Sequence, residues 1–584
     1  MDNFALIYCS EDNQLSFSAT KTIIFNNKYI YLSANSKTQI AENDSFLLVF
    51  CGKILFPSEI VSALTDKYSP DNQANNILLL YQTMQSKAFA LLKGIWSVVI
   101  LDKQTHSFIA ASDPIGNQAL YYFVSDNIFA IASTPQTIYN TLPQARTLDI
   151  PSIQNYLCWG NISNHNQHFY ADIERLQPSC YLIYHTTDNT FSINKYYTLP
   201  FKACTAPYNE YEEPYFADKL RLQIIDSIKV AFANKPKMAI GLSGGLDSSS
   251  IACVAHRFCP DTQLTAFTMV NNEDGGEAFW AEKIIKQTDI QWIKVSCDTE
   301  YIKHNIQKVI AAQGIPLFSL STVAQYQVME SVYQAGFSEI ADGQGADELL
   351  GGYNIFFLPF LHFLRSQWLV KDYLQEIFHL HRANISWKDI CLWRMKEIAK
   401  KHYFNSIRLL QKNNPIAYQC IKPQPIATNC SIPKVVLNEY LYEQYTQNLP
   451  HITRWGVFSA NAFDIDCLMP FSYSVALAEC AFQIPSTQKI HHGWSKYMLR
   501  QAMTGIVDET VLWRKGKMGF HIPEYQWYHQ LESFFKTYIE QIAHDDIVDI
   551  ATLLQHWHEA YEKNIHFRRF VFRVYCYLLW KYNL

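Results

Sequence analysis

The sequence predicts an α/β protein with two domains, the first over residues 1–200 and the second over residues 201–584. The chain has 584 residues, which is more than one hydrophobic core accommodates. Its first 200 residues contain short aromatic and β-branched runs separated by turn residues, a pattern typical of strands. Further on, strand-like runs alternate with helical periodicity, which is typical of a parallel α/β sheet, and the carboxy-terminal part reads as largely helical.

The amino-terminal domain is predicted to consist mainly of strands. The runs that predict them are residues 4–9, 29–32, 46–51, 96–101 and 181–185. One helix is predicted over residues 75–92. From Phe201 to Tyr215 the pattern loosens, with Pro207 and Pro214 among polar residues, and this predicts an interdomain connection.

The second domain begins with alternating elements. Helical periodicity at 216–234, 248–258 and 278–287 alternates with strand-like runs at 238–242, 264–270 and 292–296. Beyond Gly352 the chain is predicted to be mostly helical. The aromatic-rich strip at 567–584 has the apolar spacing of an element packed in the core.

Composition excludes several classes of function. The net charge is -5, from 48 basic and 53 acidic residues spread along the chain, so no electrostatic footprint for nucleic acid is present. The 14 cysteines form no C-x-x-C pair, which argues against a zinc site and a disulfide framework. No apolar run approaches the length of a membrane span. We therefore expect a cytoplasmic protein that binds neither nucleic acid nor membrane.

A glycine–serine loop, Ser243-Gly244-Gly245-Leu246-Asp247-Ser248, separates the strand at 238–242 from the helix that follows. Adjacent glycines let the backbone approach a ligand closely, and exposed amides at a helix N-terminus form an anion site. Asp247 would repel phosphate unless a cation intervened, which implies a bridging Mg²⁺. The lysine of a Walker A loop is absent. A plain strand-to-helix turn is the alternative interpretation.

The loop matches S-G-G-x-D-S, which marks enzymes that split ATP into AMP and pyrophosphate. A second block at 341–353 reads A-D-G-Q-G-A-D-E-L-L-G-G-Y and resembles the G-E-G-[AS]-D-E-[LV]-F-G-G-Y block of asparagine synthetases. A third, K-Y-M-L-R at 496–500 with R-K-G-K-M-G-F-H-I-P at 514–523, resembles the K-x-x-L-R and R-x-K-x-G-F-x-x-P patterns of that family.

The resemblance implies roles for individual residues. The expected cofactors are ATP and Mg²⁺, with Asp247 and Asp347 as metal ligands. Lys517 is the catalytic candidate that stabilises charge on the α-phosphorus, with Lys515 next because one residue is inserted. Gln344 and Glu348 are the substrate candidates. The nucleotide-binding candidates are Leu242, Ser243, Gly244, Gly245, Asp247, Ser248, Val270 and Gly343.

The resemblance continues through the first half, in segments such as Asp113-Pro114-Ile115-Gly116 and Leu120-Tyr121-Tyr122. It implies an N-terminal-nucleophile (Ntn) type α/β/β/α sandwich, followed by an α/β pyrophosphatase-loop synthetase domain. Such a glutaminase needs a cysteine with a free α-amine as base, but position 2 is Asp and Cys9 lies inside the first strand. The family's N-G-E motif reads Cys51-Gly52-Lys53, and its arginine before Asp113 is Ser112. We therefore expect an inactive glutaminase domain.

The synthetase half also departs from the family pattern. Gln344 replaces a glutamate, and the E-x-R-x-P-F-L-D stretch places Leu468 at the arginine and Tyr473 at the last aspartate. The first hypothesis is an ATP-dependent ligase that adenylates a carboxylate and transfers it to an amine. The altered substrate region leaves open a specialised relative, such as a β-lactam synthetase or a lasso-peptide macrolactam cyclase.

Two hypotheses of other classes remain open. A catalytically dead scaffold predicts decay of the nucleotide site, which looks intact in the sequence. A metal hydrolase would depend on His379, His381, His491 and His492, which lack ligand spacing with acidic partners. The expected partners are a small-molecule or peptide carboxylate, a second copy of the chain in a homodimer and, for a cyclase, a precursor peptide with its protease.

Overall fold

The computed structural model of the chain describes residues 4–9, 21–25, 28–35, 37–55, 58–64, 68–70, 72–125, 128–160, 162, 168–201, 204–270, 276–383, 385–386, 415–422, 436–515, 522–561 and 564–582. Its amino-terminal part contains two six-stranded antiparallel sheets, ordered β10-β8-β9-β1-β3-β2 and β12-β11-β7-β6-β5-β4. The strands are β1 Phe4–Cys9, β2 Lys21–Phe25, β3 Lys28–Ala34, β4 Gln39–Glu42, β5 Phe46–Leu55, β6 Lys93–Asp102, β7 Ser107–Ser112, β8 Tyr121–Ser125, β9 Ile128–Ala132, β10 Glu174–Arg175, β11 Cys180–His185 and β12 Thr190–Lys195.

Alternation along the strands explains why the two sheets pack face to face. On β1, Phe4, Leu6 and Tyr8 join the cluster shared with β5, β6 and β7 of the other sheet. The intervening Ala5 and Ile7 face the opposite cluster, which contains residues of the helix Ile150–Trp159. Successive side chains of a strand point to opposite faces, so each sheet has one face on its partner and one on helices. The predicted four-layer α/β/β/α sandwich is confirmed.

The second part is built on a parallel sheet ordered β15-β14-β13-β16-β17. Its strands are β13 Lys237–Gly241, β14 Gln263–Met269, β15 Gln291–Val295, β16 Glu339–Ala341 and β17 Asp466–Leu468. The three strands expected from the sequence are present, with ends shifted by one residue. β16 and β17 were not predicted, because three-residue strands carry too little pattern to recognise.

Helices cover both parts of the chain, and most follow the sequence-based expectation. The expected helix at 75–92 is instead an α-helix that ends at Met84, where Gln85 adopts a φ of 52°, and a 3₁₀ segment follows. The described α-helices are Ser58–Leu64, Gln73–Met84, Pro135–Thr141, Ile150–Trp159, Glu213–Phe232, Leu246–Phe258, Glu277–Thr288, Thr299–Gln313, Ser321–Gln334, Ala346–Leu350, Phe357–Ser366, Val370–His379, Pro415–Cys420, Leu437–Glu443, Leu449–Asn461, Pro470–Tyr473, Val475–Gln483, Ser486–Lys489, Tyr497–Met503, Glu509–Leu512, Glu524–Gln530, Glu532–Glu540, Ile550–Gln555, Trp557–Tyr561 and Ile565–Tyr582. Among the described helices, none is long and apolar enough to cross a membrane.

The last helix, Ile565–Tyr582, joins the two parts. Its apolar residues belong to one core cluster together with residues of the helices Ile150–Trp159 and Thr299–Gln313. Arg573 donates from Nε to the carbonyl of Leu157 at 2.8 Å, and Tyr156 donates to the carbonyl of Leu317 at 2.6 Å. The expectation that this aromatic strip packs in the core is confirmed.

Candidate active site

Two glycine-containing loops meet at the carboxyl ends of β13 and β16, which are neighbours in the parallel sheet. One loop carries Ser243 to Ser248, and the other carries Asp342 to Asp347. A Cβ added to Gly343 would lie 3.0 Å from Asp247 Cβ and 3.1 Å from the Ser248 nitrogen. The loops are therefore in close contact only because this position lacks a side chain. Ligands of open α/β sheets bind at this edge.

Hydroxyl groups hold the first loop in shape. Ser243 Oγ and Ser248 Oγ lie 3.2 Å apart, and the Ser243 amide donates to Ser248 Oγ at 3.2 Å. Gly245 N donates to Ser243 Oγ at the same distance. Gly244 has a φ of 66°, and a Cβ there would lie 2.4 Å from the Ala281 nitrogen. The loop shape thus requires glycine at 244.

The loops border a cavity of about 500 Å³, a size typical of small-molecule sites. Its wall also includes the start of the helix Ser321–Gln334 and part of the helix Leu449–Asn461. The lining residues are Gly241, Leu242, Ser243, Gly244, Gly245, Leu246, Asp247, Ser248, Phe267, Met269, Glu277, Phe318, Ser319, Ser321, Thr322, Gln325, Val328, Met329, Ile340, Asp342, Gly343, Gln344, Asp347, Gly352, Tyr353, Ile452, Trp455, Ser495, Lys496, Arg500, Val511 and Arg514.

One ammonium group lies between the two candidate metal carboxylates. Lys496 Nζ is 2.6 Å from Asp247 Oδ1, 2.5 Å from Asp247 Oδ2 and 2.6 Å from Asp347 Oδ1. Burial by itself would lower the pKa of Lys496, but the two carboxylates outweigh it and raise the pKa above its ordinary value. Asp247 and Asp347 therefore share a single cation, although they are 100 positions apart in the sequence.

This arrangement also fits a divalent cation. The two carboxylates lie close enough to contact one positive centre, and Mg²⁺ is commonly held by one or two carboxylates together with substrate phosphates. Among the residues that the structure describes, no group of three or more His, Cys, Asp or Glu residues has a metal-binding arrangement. A magnesium site here would thus depend on phosphate oxygens for its remaining ligands.

Two arginines complete the cationic side of the cavity. Arg500 lies one turn after Lys496, and its guanidinium stacks over Trp494 with 4.9 Å to the ring centroid. Burial lowers the pKa of Arg500 to about 10. Arg514 donates to the carbonyl of Gly244 at 3.4 Å and lies 4.7 Å from the Trp280 ring centroid. The wall near the first loop thus presents positive charge to an anion.

Lys496, Arg500 and Arg514 belong to the third sequence motif, but none of them was predicted to have a role. The signal available was spacing, since Lys496 immediately precedes the helix Tyr497–Met503 and Arg500 follows it by four residues. The lysine chosen instead, Lys517, lies outside the described residues and remains a prediction. Lys515 is exposed and is not part of the cavity wall.

Most of the other predicted residues line the cavity, and two do not. Val270 does not line the cavity. Its amide donates to the Val295 carbonyl at 2.7 Å, which continues the pairing of β14 with β15. Phe267 and Met269 of the same strand are in the wall instead. Glu348 is 1% exposed and accepts a hydrogen bond from Tyr353 Oη at 2.7 Å. Burial raises the pKa of this carboxyl.

Asp342 is a further acidic residue in the wall, at the point where β16 ends. The backbone amides of Gly343 and Gln344 donate to its carboxylate. Burial, with a contribution from the charge of Asp247, raises the pKa of Asp342 to about 6. Within the described part of the chain, no lysine, arginine or histidine nitrogen forms an ion pair with this carboxylate.

The four histidines of the hydrolase hypothesis lie near one another, and the rings of two of them are stacked. The rings of His491 and His492 are 3.8 Å apart, and His379 lies 4.8 Å from His492. Burial lowers the pKa of His491 to about 3. Glu376 accepts hydrogen bonds from the amides of His492 and Gly493, so this group supports the segment that leads to Lys496.

Gly352 gives a prediction about the carboxylate pair. A Cβ at this position would lie 1.7 Å from Asp347 Oδ1 and 2.1 Å from Lys496 Cε. We expect Gly352→Ala to displace both groups and to lower the ATP–pyrophosphate exchange rate by about 100-fold, since a 1 Å misplacement costs that much. Gly505→Ala is the control for an added Cβ, because nothing lies within 4 Å of it, and the residue's φ of 76° should cost about 1–2 kcal/mol of stability without moving the site. Equal rates in the two variants would contradict the geometry.

The fold and the site together define an ATP-dependent carbon–nitrogen ligase with an amidotransferase-type domain at its amino-terminal end. Residues 219–580 match the asparagine synthase family, and residues 29–197 match the glutamine amidotransferase domain. The chain belongs to the asparagine synthase family.

Relatives from several organisms resemble this chain over much of its length. Asparagine synthetase [glutamine-hydrolyzing] 1 of Bacillus subtilis is 24% identical over 531 residues, which is 88% of this chain and 82% of the relative. A putative asparagine synthetase of Methanocaldococcus jannaschii is 26% identical over 60% of this chain and 61% of its own length. The amidase chyE of Penicillium rubens is 25% identical over 48% of this chain and 43% of its own length.

Proposed function

We propose that this enzyme adenylates a carboxylate with ATP and Mg²⁺ and transfers the acyl group to an amine that its own amino-terminal domain does not supply. The observation that carries the proposal is the shared cation site of Asp247 and Asp347, next to a loop shaped for phosphate. When bound, Mg²⁺ would neutralise phosphate charge at these two carboxylates. Lys496, Arg500 and Arg514 are placed to stabilise the charge that develops on the phosphates.

The nucleotide occupies the sheet edge in this proposal. The amides and hydroxyls of Ser243, Gly245 and Ser248 bind the pyrophosphate portion, and the apolar wall from Leu242 to Phe267 and Met269 accommodates the adenosine portion. The acid then lies toward Gln344 and the helix Ser321–Gln334. In-line attack of its carboxylate oxygen on the α-phosphorus forms the acyl–AMP bond and releases pyrophosphate.

The position where Ser112 replaces the family's arginine lies next to a structural carboxylate. Asp113 is buried, and its Oδ1 accepts the amides of Ile115, Gly116 and Asn117 at 2.8–3.1 Å. Its Oδ2 accepts the amide of Gln118 at 2.8 Å. The carboxylate is therefore already committed to holding its own loop.

Lys53 replaces the glutamate of the family's N-G-E motif and contributes to the domain interface instead. Its Nζ lies 3.8 Å from Glu339 Oε1, and Lys235 forms an ion pair with the same carboxylate. Lys37 reaches Asp466 at 2.8 Å. These ion pairs join β5 and the segment before β4 to the first residues of β16 and β17, as expected of a domain that serves as a scaffold.

Cys9 gives a direct test of the inactive glutaminase. It is fully buried in a strand bonded on both sides by β3 and β9, and burial raises the pKa of its thiol to about 11. A thiol in that state is a poor nucleophile. We expect Cys9→Ser to leave amide formation unchanged, and we expect no release of glutamate from glutamine by the wild-type enzyme, measured by a glutamate assay. Glutamate release that Cys9→Ser abolishes would contradict this.

The second candidate is macrolactam formation within a ribosomal peptide, where the acid and the amine belong to one molecule. The wall contributed by residues 318–329 and by Ile452 and Trp455 consists of uncharged residues, including Phe318 and Thr322. A free amino acid brings an ammonium and a second carboxylate, which are costly to bury without partners. A carboxylate carried on a neutral peptide avoids this cost.

ATP–pyrophosphate exchange tests the proposed function. The acids to compare are L-aspartate, L-glutamate and their N-acetyl α-amides, which present the same side chain on an uncharged body. Exchange that depends on one of these acids and on Mg²⁺ supports adenylation, and a preference for the amides favours the cyclase. Absence of exchange with every acid, together with absence of ATP binding, would overturn the proposal and favour a scaffold.

A further inference from the structure

We propose that Asp342 binds the attacking amine in its ammonium form and accepts its proton, so that this residue, and not Gln344, is the catalytic base of the transfer step. The inference rests on the proposed function, because it concerns the second half of the same reaction. It starts from a chemical requirement. An amine at neutral pH is mostly protonated, and it must lose a proton before its lone pair can attack an acyl–adenylate.

The cavity wall contains four acidic residues, and three of them are engaged. Asp247 and Asp347 share Lys496. Glu277 is buried, and its negative charge raises the pKa of Arg514 against the larger effect of burial. Asp342 remains, with no cationic side chain in contact with it among the residues that the structure describes. Its carboxylate is therefore the one in this wall that is available to an ammonium group of the substrate.

The position of Asp342 suits this role. It follows the last residue of β16, and its own amide donates to the Leu468 carbonyl at 2.9 Å, which fixes its backbone to β17. Gly343, the next residue, packs against Asp247 and Ser248. Asp342 therefore immediately precedes the glycine that contacts the loop carrying Ser243 to Ser248. The activated acyl group is expected near that loop.

Leu468, whose carbonyl accepts the amide of Asp342, lines a second cavity of about 210 Å³ between the two domains. That cavity is lined by Leu468 and Cys467 of β17 and by Lys53, Gln73 and Gln118 of the amino-terminal domain. Asp342 is thus joined through its backbone to a residue that lines the interdomain cavity.

Gln344 cannot perform this step. Its amide lines the same cavity, but a carboxamide does not accept a proton at neutral pH. With Asp342 as base, the ammonium gives one proton to the carboxylate, and the nitrogen lone pair forms the C–N bond. The acyl–oxygen bond to phosphate then breaks, AMP leaves with that electron pair, and the second nitrogen proton passes to solvent.

Asp342→Asn separates the two halves of the reaction. ATP–pyrophosphate exchange, with the best acid of the panel above, should stay within about threefold of wild type, because adenylation needs no amine. Amide formation with ammonium chloride should fall by about 100-fold or more, the usual contribution of a general base. Hydroxylamine is mostly unprotonated at neutral pH, so hydroxamate formation should be largely retained. Asp342→Glu should recover part of the ammonia-dependent rate.

Asp464→Asn is the matched control, since Asp464 is exposed, lines neither cavity and has a φ of 55°, a conformation that asparagine also adopts. It should leave both half-reactions unchanged. Loss of exchange in Asp342→Asn would overturn the proposal by assigning the residue to acid or nucleotide binding, and unchanged ammonia-dependent transfer would overturn it directly. Absence of exchange in the wild-type enzyme would instead contradict the proposed function, and this inference with it.

Discussion

Replacing Asp247 with asparagine is expected to lower the rate of ATP–pyrophosphate exchange by about 1,000-fold or more, equivalent to about 4 kcal/mol of transition-state stabilisation. The substitution keeps the shape of the side chain but removes one of the two charges that hold the shared cation. Both oxygens of Asp247 contact Lys496 Nζ, and Asp347 Oδ1 lies 2.6 Å from the same nitrogen, so the substitution weakens the ion pair and the metal site together.

The Asp247→Asn variant should remain folded, because Asp347 still pairs with Lys496. The residue lies in the first turn of the helix Leu246–Phe258, where loss of a carboxylate costs about 0.3–1 kcal/mol. Asp289→Asn is the control, since Asp289 is exposed and caps a neighbouring helix with a φ of 53°, a conformation that asparagine also adopts. An exchange rate within tenfold of wild type in Asp247→Asn would contradict a metal-binding role.

Sequence patterns predicted the fold where an element is long or a loop is rich in glycine. The alternation of β1 and the strand–loop–helix order from Lys237 to Phe258 were sufficient, because period and backbone geometry are local properties. The order of the parallel sheet was not predictable. β16 and β17 are adjacent, but their residues are 127 positions apart, as Glu339 and Asp466 show, and three residues give no period.

The candidate site likewise has features that the sequence predicts and features that only the fold reveals. Gly343 was predicted to bind nucleotide and Gly352 was given no role, but the structure shows that their missing Cβ atoms give space to Asp247, Asp347 and Lys496. Apart from Gly352 with Asp347, these contacts join segments about 100 to 150 residues apart, and no local pattern encodes them. Lys496 was visible in a motif, yet only the fold shows that its ammonium lies between the carboxylates expected to bind metal.

The strongest effect on the ligand-free protein is expected for Lys496→Met. The lysine side chain is 6% exposed, and its removal takes away the ammonium group that lies between Asp247 and Asp347. Breaking a buried ion pair by removing one partner costs about 3–5 kcal/mol. The variant should therefore unfold at a lower temperature than wild type in calorimetry without nucleotide. Mg²⁺ with ATP should raise its unfolding temperature more than that of wild type, because a bound cation replaces the lost charge.

The same variant should lose adenylation, since the ammonium is placed beside the phosphates that react. We expect an exchange rate at least about 100-fold below wild type, and Lys496→Arg should recover stability better than activity, because a guanidinium keeps the charge but not the point geometry. Lys515→Met is the matched control, as that lysine is exposed and outside the cavity wall. Loss of exchange in Lys515→Met with retention in Lys496→Met would reverse the assignment.

Lys517→Met, measured in parallel, tests the lysine that the family resemblance favours. If both Lys496 and Lys517 are required for exchange, the two cations act on different phosphate groups, because Lys496 cannot leave its carboxylates without a replacement charge.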